Sequence, residues 1–398
     1  MSKTGIALAG GGPVGGIYEI GASVALAEAI QGLAFTEADI FVGVSSGSLV
    51  ASCFANGMSP ELLARILIHD DAEEFFDPEV LMRPAFGEYL QRILSVPGLV
   101  FSATQEYLAD PLHHRLFESF QRLSRAIPTG LFDNRGIDRI MRGMFERPGR
   151  TNDFRKLKRR LVLVATDLDS GETVEFGSPG LDDIPISTAV QASTALPGLF
   201  PPVFIGGHYY VDGALIKTLH ASVALKEGAE LVLCINPLVP FDAELAAHRN
   251  ARERQALNDG GLPVVLSQTF RAIIHSRMRV GMDRYKHQYE SADVILFEPS
   301  RDDAEMFFTN VFSYRDRQRL CEHAYQRTRT DLYRRRHELR PILERHGFDL
   351  DLAVLKDHRR TLLEAPRFRA RSDLKRTTEA LDESLAQLQR WLEDQPVA

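Results

Sequence analysis

Asp39-Ile40-Phe41-Val42-Gly43-Val44-Ser45-Ser46-Gly47 is an apolar run that ends in a serine set between two glycines. Five consecutive apolar or glycine residues, Ile40 through Val44, suit a short parallel strand buried on both faces. Gly43 and Gly47 allow the backbone to turn sharply after it. The Ser45 hydroxyl would then project clear of the sheet at the start of the next helix, where the helix dipole favours developing negative charge. Glycine and serine are both common, so the pattern by itself is weak, and Ser46 and Ser48 compete for the role. Only Ser45 holds the central place, and its position at a strand end gives the pattern weight.

Upstream, Ile6-Ala7-Leu8 reads as a first strand, followed by Gly10-Gly11-Gly12-Pro13-Val14-Gly15-Gly16 and an Ala-rich helix over residues 20–30. Downstream, apolar runs recur at Leu161-Val162-Leu163-Val164-Ala165, Val174-Glu175-Phe176, Tyr209-Tyr210-Val211, Leu231-Val232-Leu233-Cys234-Ile235 and Val294-Ile295-Leu296-Phe297. This alternation predicts a three-layer α/β/α fold with a mostly parallel central sheet. Residues 60–150 interrupt it with aromatic-rich helical patterns broken at Pro78, Pro84, Pro97, Pro111 and Pro128. They read as a helical insertion covering the sheet, with a substrate-contacting lid as the alternative.

After about Arg315 the pattern is wholly helical and dense in Arg and Glu. The expected division is therefore a main domain over 1–330 and a charged helical extension over 331–398. Leu374, Leu381, Leu385, Leu388 and Leu392 form an apolar stripe on one helical face. It suits packing back on the domain, or a homodimer through the C-terminal helix.

The net charge of −7 argues against a general nucleic-acid binder. Cys53, Cys234 and Cys321 are scattered, which fits a reducing compartment. The apolar stretch near Met1 is too short for a secretory signal, and no run approaches the roughly 20 residues that span a bilayer. The expectation is a cytoplasmic protein, soluble or peripherally membrane-associated. The histidines show no metal-ligand spacing, and neither metal nor cofactor is called for.

Two motifs carry competing readings. The glycine loop can turn its N–H groups toward an oxyanion, but Gly10, Gly12 and Gly15 also satisfy the dinucleotide pattern G-x-G-x-x-G. That pattern needs an acidic residue at the end of the second strand; here that end is Gly43-Val44-Ser45, and Asp39 stands at the beginning. Asp212-Gly213-Ala214, at a strand tip, can face a nucleophile or serve as a plain turn. Asp167 and Asp169 occupy a similar setting and read as hairpin-turn residues. His208 and His220 flank Asp212, so a Ser-His-Asp triad in the order Ser45, Asp167 or Asp212, His220 is a rival. Against it, the serine follows only the second strand.

Together these motifs resemble the patatin-like phospholipase family over about residues 5–330. Gly10-Gly11-Gly12 is similar to its oxyanion loop, Gly43-Val44-Ser45-Ser46-Gly47 to its nucleophile motif, and Asp212-Gly213-Ala214 to its aspartate motif. Ala165-Thr166-Asp167-Leu168-Asp169-Ser170-Gly171-Glu172 and Ala192-Ser193-Thr194-Ala195-Leu196-Pro197-Gly198-Leu199-Phe200-Pro201-Pro202 are also similar, as is Pro128-Thr129-Gly130-Leu131-Phe132-Asp133. The resemblance implies a Ser45 nucleophile, Asp212 as general base and acid, and an oxyanion hole from Gly10, Gly11 and Gly12, with Gly43, Gly47 and Gly213 in support. It also implies a lipid ester substrate, met by peripheral membrane contact. Val14 or Gly15 stands where the family usually carries Arg or Lys. Lys217-Thr218-Leu219-His220 stands where it usually shows an Asn-x-Pro-like segment. These departures motivate a second reading, a catalytically silent lipid-binding or scaffold protein.

Overall fold

The computed structural model describes residues 2–68, 129–247, 261–308 and 314–362. Its strands are β1 (Thr4–Leu8), β2 (Ile30–Gln31), β3 (Ile40–Val44), β4 (Arg160–Asp167), β5 (Thr173–Phe176), β6 (Val203–Ile205), β7 (His208–Asp212), β8 (Leu231–Ile235), β9 (Asp293–Phe297) and β10 (Asp349–Leu350). Eight of them form one sheet in the order β6-β7-β4-β3-β1-β8-β9, with β5 also on β4. The central pairs β4/β3, β3/β1, β1/β8 and β8/β9 are parallel, whereas β5, β6 and β7 are antiparallel additions.

Because side chains alternate across a strand, the apolar runs bury both faces of this sheet. Ile6, Leu8, Phe41, Leu161, Leu163 and Leu233 face one core, shared with α1 (Gly12–Ala29) and α2 (Ser46–Ala55). Ala7, Ile40, Val42, Val44, Val162 and Cys234 face the other, shared with helices Ala221–Lys226 and Gly261–Gln288. The result is the three-layer α/β/α arrangement.

Helix α1 is buried almost all round, as a helix between two apolar surfaces must be. One surface is the sheet and the other is helix Tyr314–Arg334, where a Cβ on Gly21 would run into the Cys321 carbonyl. That helix continues through residue 330, so the division expected there falls within one continuous element. Leu320, Tyr325, Leu332, Leu343, Leu350 and Leu362 all belong to the core of α1. Dense arginine hid this stripe, because the charges are satisfied locally. Arg329 donates to the carbonyls of Val354 and Asp357, and Arg360 pairs with Glu28 of α1. The region is also not wholly helical: β10 pairs antiparallel with β2.

The inserted block begins with α3 (Pro60–Ile68) and ends with helix Arg135–Phe145, which packs on helix Ile186–Ser193. Its middle, and the leucine stripe from Leu374, lie outside the described residues. Among the described residues no helix is long and apolar enough to cross a membrane.

Candidate active site

Ser45 is the one non-glycine residue at positive φ among the described residues, with φ 53° and ψ −125°. Such a backbone costs ~1–3 kcal/mol and persists only where its surroundings hold it. Here the Ser45 N–H donates to Ser193 Oγ at 2.9 Å, and Ser193 Oγ in turn donates to the Val164 carbonyl at 2.6 Å. The Ser45 carbonyl accepts from Ser48 Oγ at 2.6 Å and from the Ser48 N–H at 2.9 Å. Both flanking glycines are sterically required. A Cβ on Gly43 would come within 2.5 Å of the Gly47 carbonyl, and one on Gly47 within 2.6 Å of the Leu8 and Ala9 carbonyls.

Asp212 closes β7. Ser45 Oγ donates to its Oδ2 at 2.6 Å, and the Ala214 N–H donates to its Oδ1 at 2.8 Å. Ser45 is 7% exposed and Asp212 2%. Burial pushes the Asp212 carboxyl up from 3.8 to about 6, a rise that the Ser45 and Ala214 hydrogen bonds restrain. The Asp212 N–H donates to the Ala195 carbonyl at 3.0 Å, and a Cβ on Gly213 would meet the Val164 carbonyl at 2.5 Å.

The glycine loop lies directly against Ser45: a Cβ on Gly10 would sit 3.0 Å from Ser45 Cβ. The Gly10 N–H points to the Thr218 carbonyl at 3.4 Å. The N–H groups of Gly11 and Gly12 donate to no protein acceptor among the described residues, and they open α1 beside Ser45. The acid that a dinucleotide site would need is not at this end. Asp39 accepts the Thr4 N–H at 2.8 Å at the opposite, amino-terminal end of the central strands.

The patatin-like phospholipase family model matches residues 6–225, more than half of the chain. The chain belongs to this family. It is similar to uncharacterised NTE family proteins of Mycobacterium tuberculosis (strain CDC 1551 / Oshkosh) and Mycobacterium bovis, at 28% identity over 237 residues. Those matches cover 58% of this chain and 30% of each relative. Among solved structures it is similar to the type III effector protein ExoU, at 17% identity over 98% of this chain and 65% of that one, with a TM-score of 0.37. VipD from Legionella pneumophila is similar at 16% identity, over 82% and 66%, with a TM-score of 0.36.

Within this patatin domain the two departures in sequence have structural counterparts. Of the two positions where the usual basic residue would stand, Val14 packs against the core, and a Cβ on Gly15 would approach Pro237 Cγ at 2.9 Å. In the segment behind the aspartate, Lys217 Nζ donates to Ser222 Oγ at 2.8 Å and Thr218 supplies the carbonyl that ties Gly10.

No histidine hydrogen-bonds Ser45 or Asp212 among the described residues. His220 is buried and neutral, its pKa pushed down to about 3 by burial and by Lys217, with Nε2 unpartnered. His208 lies at the surface, its Nδ1 3.2 Å from Asp167 Oδ2. Asp167 Oδ1 accepts the Asp169 N–H at 2.8 Å, as a turn residue does. Potential ligand atoms of Asp167, Asp169 and His208 lie within 4.8 Å of one another, and none of the three lines the cavity at Ser45.

Ser193 is the residue that sequence reasoning missed. It stands in the family-like segment over 192–202, but nothing local distinguishes a serine ending a helix as the brace of another serine's backbone. Ser45 and Asp212 open onto an apolar cavity of about 310 Å³, walled by residues such as Ile17, Leu49, Leu63, Leu67, Phe132 and Met144.

Proposed function

We propose that this chain is a serine acyl-hydrolase that cleaves ester bonds of phospholipids or lysophospholipids. The observation that carries this reading is the 2.6 Å Ser45 Oγ–Asp212 Oδ2 hydrogen bond at the wall of a cavity lined almost wholly by hydrocarbon. Such a lining suits an acyl chain, as small-molecule sites generally combine an apolar wall with a few directed polar groups. Lipid substrate reaches it through peripheral contact with a membrane surface.

In the first step Ser45 Oγ attacks the ester carbonyl while its proton passes to Asp212. An ordinary carboxylate is a weak base for an alcohol; a pKa raised to about 6 narrows the mismatch. The carbonyl oxygen becomes an oxyanion, for which the Gly11 and Gly12 N–H groups are the donors. One donor of this kind is worth ~3 kcal/mol in the barrier. Collapse breaks the ester C–O bond, and the leaving alcohol takes the proton from Asp212. Water then adds to the acyl-enzyme, gives its proton to Asp212, and Ser45 recovers it as the fatty acid departs.

A fluorophosphonate probe tests the reading. Wild-type protein is expected to label stoichiometrically and to hydrolyse lysophospholipid, and Ser45→Ala to do neither. Folded wild-type protein that neither labels nor turns over a lipid panel would refute the hydrolase and favour the silent lipid-binding protein.

A further inference from the structure

Beyond the carboxyl ends of the parallel strands β8 and β9, where open α/β sheets bind ligands, lies a small crevice unconnected with Ser45. Val239 from the loop after β8, Ser300, Arg301 and Asp303 from the loop after β9, Phe307, and Arg271 of helix Gly261–Gln288 line it. Arg271 is 9% exposed. A buried arginine is normally paired with a carboxylate, since removing a guanidinium from water is strongly unfavourable. Among the described residues Arg271 has no such partner. Its Nη1 donates to the Val239 carbonyl at 3.3 Å, its plane lies over the Phe307 ring at 5.0 Å, and its Nε has no acceptor.

The nearby acids are committed elsewhere. Asp303 is held by His323 Nε2 at 2.8 Å and lies 3.6 Å from Arg327 Nε; Asp242 faces Arg301 at 3.5 Å. Burial alone pulls the Arg271 pKa down to about 10, with no negative charge countering it. A charged fork with unfilled donors, aimed into a crevice, calls for an anion. The enclosed space is about 10 Å³, room for about one oxygen atom of a ligand. Arg301, half exposed at the rim, is a second guanidinium. A carboxylate's two coplanar oxygens are taken by one fork, whereas a phosphate has further oxygens for a second.

We propose that this crevice is a binding site for a phosphate group, with one oxygen received by Arg271 and the outer oxygens met by Arg301. The group comes either from free inorganic phosphate or from a lipid headgroup, and its binding does not depend on the hydrolase chemistry.

Full-length Ser45→Ala protein, which removes turnover as a complication, is titrated calorimetrically at constant ionic strength. One arm uses inorganic phosphate, the other dihexanoyl phosphatidic acid below its micelle concentration, with chloride as the comparator. Saturable binding in either arm is expected, weakened at least tenfold by Arg271→Gln and several-fold by Arg301→Gln. The rim substitution keeps the test valid should the buried one fail to fold. Binding of phosphate alone assigns the free anion, and binding of the lipid alone assigns the headgroup. No binding in either arm, or binding unchanged by Arg301→Gln and by every folded Arg271 variant, overturns the site.

Discussion

Replacing Asp212 by Asn separates what the carboxylate does for chemistry from what it does to the fold. The buried carboxyl holds its proton up to about pH 6, whereas its ordinary value is 3.8. Between those values the folded protein binds more protons than the unfolded chain, so this group's contribution to stability falls as pH rises. The contribution is fully present below pH 3.8 and is lost as pH rises through about 6. The displacement corresponds to about 3 kcal/mol at neutral pH and above. An asparagine removes that burden. Its carbonyl still accepts the Ala214 N–H, and Ser45 Oγ turns from donor to acceptor, so the loss of contacts is small. Asp212→Asn is therefore expected to be about 2–3 kcal/mol more stable than wild type at pH 8, with the advantage shrinking toward zero near pH 4.

Activity should move the other way. Only the deprotonated carboxylate accepts the Ser45 proton, so wild-type kcat/KM is expected to rise through about pH 6 and then level off. Asp212→Asn is expected to lose on the order of 10³ in kcat at pH 8, a deficit that narrows as the wild-type carboxyl protonates below about pH 6. Urea unfolding at pH 4, 6 and 8, beside hydrolysis of a soluble chromogenic ester, measures both. A variant less stable than wild type at pH 8, or a stability difference that does not change with pH, would refute the account of a destabilising buried base.

Two further substitutions probe the supports. Ser193→Ala removes both the acceptor for the Ser45 N–H and the donor to the Val164 carbonyl; it is expected to destabilise by about 1–3 kcal/mol and to lower kcat at least tenfold, checked by the same denaturation and ester assays. His220→Gln is expected to keep turnover within about tenfold, since a neutral, buried histidine bonded to neither reacting group lends only packing; a dead but folded variant would revive the triad.

Seven of the eight strands of the main sheet were legible in the sequence, β6 being the exception, because runs such as Leu231-Val232-Leu233-Cys234-Ile235 are apolar on every residue and permit little else. The glycine loop and the strand-end positions of Ser45 and Asp212 were legible for the same local reason. What was not legible is non-local. Helix Tyr314–Arg334 reads only as charged and helical because six arginines are interleaved with its apolar residues, yet Leu320, Tyr325 and Leu332 complete the core above α1. The two-residue pair β2/β10 joins segments more than 300 residues apart, and neither partner carries a recognisable strand pattern. Ser193 and Arg271 are ordinary residues in ordinary helices; only the assembled surroundings give one a backbone to brace and leave the other buried without a counter-ion among the described residues.

The meeting of Ser45 and Asp212 across 167 residues comes from the register of a single strand. Leu163 and Val164 of β4 pair with β3 and with β5, which must therefore lie on opposite edges of β4. Ala165 and Thr166 pair with β5 and with β7, so β7 occupies the same edge as β3. Val44 stands opposite Val164 and Asp212 opposite Ala165. Where β3 leaves that edge at the Ser45 turn, β7 arrives on it from the opposite direction, and the two strand tips meet head to head. The Val164 carbonyl reinforces the junction, accepting from Ser193 Oγ on the Ser45 side and closing against Gly213 on the other. A one-residue slip of β7 along β4 would send the Asp212 side chain to the opposite face of the sheet. Glycine at position 213 keeps β7 close enough to hold its register, so its part in the site is exerted through packing on β4 rather than through contact with substrate.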